Sequence, residues 1–133
     1  MLTRAAIAAL CLSPLPGYAQ EVSLTCTLSI ICIEISACSD LDQEIAIAQE
    51  GGVWSVDWNA ELPSDYEEIA NIPAPEGALE PTGLRTLMHT NEETQAVQII
   101  SFADNGNLVL TLHQPHIRPQ AVTGFGTCEA AAQ

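Results

Sequence analysis

Four cysteines restrict what this chain of 133 residues can fold into more than any other feature. Cys26, Cys32 and Cys38 stand close together near the start, with five residues between neighbours. Cys128 lies five residues before the end. If one of the early three reaches Cys128, the two ends are tied and almost the whole domain becomes one closed loop. A fifth, Cys11, sits apart in an apolar stretch.

Cys11 falls in a segment that the mature protein is expected to lose. Arg4 gives a positive start, residues 5–12 are apolar, and residues 13–19 break helix and offer small residues at Gly17 and Ala19. This pattern reads as a secretory signal peptide over residues 1–19, leaving one domain over residues 20–133. The apolar run is too short to span a bilayer. Leu10 before Cys11 argues against lipid attachment, which favours a small residue there. The expected location is the periplasm or the exterior, where thiols oxidise.

Four remaining cysteines imply two disulfides, with three possible pairings. The favoured pairing is Cys26–Cys128 with Cys32–Cys38. The short bridge then closes a turn. The long one encloses roughly 100 residues and is worth up to ~4.7 kcal/mol by chain entropy, against ~2.4 for the short one. Spacers of five residues do not match the closer ligand pairs of zinc sites.

Charge bounds the partners. After loss of the leader, Arg85 and Arg118 face all 17 acids, a formal charge of −15, and there is no lysine. Such a surface repels nucleic acid and anionic lipid and attracts cationic proteins. No second apolar segment suggests stable membrane insertion.

Period-two alternation dominates the rest. Residues 21–29 put Val22, Leu24, Cys26 and Leu28 on one face. Residues 30–37 read as a strand end and stapled hairpin, an apolar knuckle where Ile33 and Ile35 are candidate partner-binding residues. Residues 39–42 read as a turn, and 44–49 and 53–58 as strands around Gly51-Gly52, with Trp54, Val56 and Trp58 on one face. The proline- and acid-rich stretch 59–81 is the least regular, and 65–71 fits a short strand or a helical turn. Strands are expected at 84–90, 94–103, 108–113 and 120–128, with a bulge or bulk on both faces at Ile99-Ile100 and a hairpin turn at Asp104-Asn-Gly-Asn107. Gly124 and Gly126 suggest a bend or close backbone approach. The predicted fold is all-β: a small antiparallel barrel or sandwich of seven to eight strands, stapled by the two disulfides.

Catalytic signatures are missing. There is no Gly-x-Ser-x-Gly elbow, no lysine for Schiff-base chemistry, and no thiol once the cysteines are oxidised. His89, His113 and His116 are the only histidines, and Pro115 keeps the last two off a common helical face. The expectation is no catalytic residue, no metal and no cofactor.

The early cysteine group, Gly52-Val-Trp54 and the closing Gly126-Thr-Cys128 resemble small exported, cysteine-stapled β-proteins of Gram-negative bacteria. The chain is more loosely similar to the periplasmic inhibitors of C-type lysozyme. Those are eight-stranded barrels with a terminal-strand disulfide, and they insert a Ser-Gly-x-x-Tyr loop into a cationic enzyme's cleft. The nearest text here is Thr82-Gly-Leu-Arg-Thr86, with threonine for serine and no tyrosine. The resemblance implies a binding or inhibitor module in which Thr82 and Gly83 approach the partner. The alternative is a structural or envelope-associated protein whose partner docks on Ile33 and Ile35.

Overall fold

A computed structural model describes residues 21–34, 36–60, 62–80, 82–115 and 120–132. The expected leader, Ile35, His116 and Arg118 lie outside the described residues. Eight strands follow one another: β1 Val22–Ile33, β2 Ser39–Glu50, β3 Val53–Asp57, β4 Ser64–Ile72, β5 Leu84–Thr90, β6 Val97–Ala103, β7 Asn107–Gln114 and β8 Gln120–Ala130. Each pairs antiparallel with the next, and β8 returns to β1, closing an up-and-down barrel. Closure removes the edges that an open sheet would expose. No helix long and apolar enough to cross a membrane occurs among the described residues.

Alternation explains the core. Cys26 and Leu28 from β1, Ile45 and Ile47 from β2, and Trp54 and Val56 from β3 point inward and are almost fully buried. They meet Leu87, Ile100, Phe102, Leu108 and Leu110 from β5, β6 and β7. Residues 39–42, expected to be a turn, instead open β2. Asp40 and Asp42 face water while Leu41 packs against the core, so the alternation runs on through charged residues. The Ile99-Ile100 pair carries bulk on both faces without a bulge: Ile100 is buried inward and Ile99 lies half-buried outside. The bulges fall at Ser29 and Ile69.

Both expected disulfides are present. Cys26 and Cys128 sit directly opposite each other on β1 and β8, the first and last strands. Cys32 and Cys38 bridge the end of β1 to the residue before β2.

Gly126 makes the β1–β8 seam possible. A Cβ there would lie 2.1 Å from the Thr27 carbonyl oxygen and 2.9 Å from the Leu28 Cα. These are backbone atoms at the start of the Ser29 bulge, and they cannot yield as a side-chain tip can. Gly126→Ala is therefore expected to destabilise the fold by about 2–4 kcal/mol, read from urea melts. Gly52→Ala, with open space at its Cβ, should cost only the strain of its positive φ, about 1 kcal/mol.

Tyr66 gives the barrel an alkaline limit. Its hydroxyl donates to Gln98 Oε1 and accepts from Trp58 Nε1 at 3.4 Å. Burial pushes its pKa above the ordinary 10.0, and the Trp58 hydrogen bond pulls weakly the other way. The folded state thus holds the phenolic proton more tightly than the unfolded chain. That contribution is complete below pH 10 and is lost as pH climbs through the raised folded value. Urea midpoints are expected to fall as pH rises above 10.0, and Tyr66→Phe should flatten the decline.

Candidate functional site at the barrel mouth

β1 begins and β8 finishes at the same end of the barrel, with the Gly51-Gly52 turn, residues 73–80, 82 and 83, and the 104–106 turn around them. A cavity of about 470 Å³ opens there. Val22, Leu24, Phe102 and Cys128 supply its apolar surface, and Asp104, Glu129 and Arg85 its charge. A neighbouring hollow shares Val22, Leu24, Arg85 and Ala130.

Arg85 is the only lysine or arginine among the described residues, and the fold fixes it on two sides. The Ile69 bulge brings Glu68 opposite Leu87, one inward step from Arg85. Arg85 Nε then approaches Glu68 Oε2 at 3.4 Å. The same Oε2 accepts a hydrogen bond from Trp54 Nε1 at 3.0 Å. The guanidinium carbon lies 5.0 Å from the centroid of the Trp54 ring, a cation–π contact. Trp54 in turn meets Phe102 edge-on at 5.8 Å. Each partner offsets a cost of the others: carboxylate and indole compensate the partial desolvation of the cation, and the cation that of the carboxylate.

Thr82 and Gly83 lie at this mouth, in different settings. Thr82 is exposed, whereas Gly83 is buried and its carbonyl accepts the Asp104 amide at 2.9 Å. A Cβ on Gly83 would reach within 2.3 Å of Asp104 Oδ2. Ile33 is 45% exposed at the opposite end, beside the Cys32–Cys38 bridge, so it shares no surface with Thr82.

The histidines stand apart. His89 Nδ1 donates to the Asp65 carbonyl at 2.8 Å, since a carbonyl only accepts, and its ring packs against Tyr66. His113 is exposed on β7, where it lines a second cavity of about 320 Å³ at the far end. Among the described residues no group of three or more His, Cys, Asp or Glu could hold a metal ion.

The outer wall divides by charge. Asp40, Asp42, Glu44 and Glu50 on β2, Asp57 on β3, and Asp65 and Glu67 on β4 all alternate outward. The five other strands contain one acid between them, Glu129. On that acid-poor side Ile30, Phe125 and Val109 form a cross-strand row over β1, β8 and β7, each 37–41% exposed.

The chain matches no protein-family model, no curated protein and no solved structure.

Proposed function

We propose that the protein is a non-catalytic, exported binding or inhibitor module whose acidic β2–β3–β4 wall engages a cationic protein. The segregation of seven outward acids onto three adjacent strands carries this reading. Charge gathered on one wall makes a directional field, which steers a basic partner and raises its association rate. Exposed Thr82 at the mouth offers a further contact, in line with the lysozyme-inhibitor resemblance. The test is a lytic assay of a C-type lysozyme with the mature protein in excess, together with binding measured from about 50 to about 200 mM salt. Inhibition that weakens with salt, and weakens several-fold in an Asp42→Asn/Glu44→Gln/Asp57→Asn variant, is expected. Undiminished lysis removes the inhibitor version. Binding to cationic proteins that ignores both salt and the triple substitution contradicts the acidic wall as the contact.

The Ile30–Phe125–Val109 row favours a second reading, an envelope-associated interaction protein that docks through its acid-poor side. Ile30→Ser/Phe125→Ser should then abolish co-purification with the partner while leaving the melting temperature nearly unchanged.

A further inference from the structure

The two disulfides stand in different surroundings. Cys26 has no exposed surface, and its bridge to Cys128 lies within the β1–β8 ladder, so opening it disturbs the barrel seam. Cys38 is exposed and Cys32 half-buried, and both lie just past the last β1–β2 pair, Ile31 with Ser39. Their bridge spans a sequence separation of 6. Within that short ring Glu34 takes φ 48°, a left-handed conformation that costs a non-glycine residue free energy. The turn also has support of its own. Glu34 N–H donates to the Ala121 carbonyl at 3.1 Å, and Ser36 N–H to the Ile33 carbonyl at 2.9 Å. Opening this bridge therefore leaves the barrel closed. Acids flank it: Glu34 follows Cys32 by two residues, Asp40 follows Cys38 by two, and both are exposed.

We propose that Cys32–Cys38 is a thiol-exchange site, at which the folded protein takes up a small thiol bearing a positive group. The incoming thiolate attacks the exposed Cys38 Sγ and forms a new S–S bond there. The Cys32–Cys38 bond breaks, and Cys32 Sγ leaves with the electron pair as a thiolate, which takes a proton from water. One disulfide replaces another, so no outside oxidant or reductant is consumed. Attack by Cys32 on the adduct closes the ring again and returns the thiol. Glu34 and Asp40 set the preference. A thiolate is already negative, and an ammonium on the same molecule offsets that charge, whereas a sulfonate adds to it. Added salt should narrow the difference. Exchange needs no protein partner, so it can fail without the cationic-partner reading failing, and the reverse.

The mature protein, without denaturant, is mixed with cysteamine and, separately, with 2-mercaptoethanesulfonate. Iodoacetamide traps released thiols, and peptic mapping by tandem mass spectrometry locates each adduct. Rates are expressed per thiolate and divided by those of the same thiols with a neutral dialkyl disulfide. The thiol is expected on Cys38 and the alkyl group on Cys32, with Cys26–Cys128 still joined and the near-ultraviolet circular dichroism retained. Cysteamine should react several-fold faster than the sulfonate, and Glu34→Gln/Asp40→Asn should shrink that ratio toward one. The wild-type comparison stands even where the variant fails to fold. No adduct at either cysteine, opening of Cys26–Cys128 first or at the same rate, or equal rates for the two thiols would each overturn the proposal.

Discussion

Replacing Cys26 and Cys128 together by alanine is expected to cost about 4–5 kcal/mol and to lower the melting temperature by roughly 20 °C or more. The bridge spans 102 residues, so its loss frees almost the entire unfolded chain. It also joins the first and last strands of the barrel, where Cys26 has no exposed surface. Stability of a domain this size is about 5–15 kcal/mol, so the variant stands near the threshold of folding at all. The Cys32–Cys38 bridge spans only six residues at the rim. Its removal should cost about 2 kcal/mol, half as much or less. Paired urea and thermal melts of the two double variants make the comparison. Equal losses would mean that chain closure is not what the long bridge contributes.

Trp54→Ala is expected to cost about 3–5 kcal/mol, the second large effect. The indole is 2% exposed, packs edge-on against Phe102, donates to Glu68 and carries Arg85 on its face. Truncation opens a cavity and also leaves a half-buried ion pair without its wall. Trp54→Phe restores most of the volume but not the N–H donor, and should cost about 1–2 kcal/mol, through the lost hydrogen bond to Glu68. Near-ultraviolet circular dichroism and urea melts measure both. A Trp54→Phe variant as damaged as Trp54→Ala would place the hydrogen bond above the packing.

Much of this architecture was legible because inward residues repeat every second position. Cys26 and Leu28, Trp54 and Val56, and Leu108 and Leu110 all face the core as the alternation predicts. The Asp104-Asn-Gly turn also forms as expected, with Gly106 at φ 88° and its carbonyl accepting the Cys128 amide. The misreadings came where polarity and direction part company. Asp40 and Asp42 resemble a turn by composition, yet they are the solvent face of β2. At Ser29 the bulge adds a residue, so Ile30 turns outward. A strict count from Leu28 would have sent it in.

The Arg85–Glu68–Trp54 group was not legible for the same reason. Glu68 sits in an acid-rich stretch that reads as solvated, and only the bulge at Ile69 aligns it with Arg85. The one available hint was compositional. In a chain with no lysine, an arginine within a regular strand needs a partner, and an acid next to an expected strand was a candidate. The charge division was there to be seen in the strand sequences, but it becomes a surface only when β8 closes on β1 and sets the five acid-poor strands side by side.

The lacing of β1 to β8 underlies every part of this account, from the closed barrel to the floor of its mouth. Its most direct test is a peptide map of the mature, unreduced protein, digested with pepsin, which cuts at leucine and so separates Cys26 from Cys32 at Leu28. The fold predicts one cross-linked species joining the Cys26 and Cys128 peptides, and no free thiol. A Cys128 peptide recovered unlinked, or linked to Cys32 or Cys38, would contradict it.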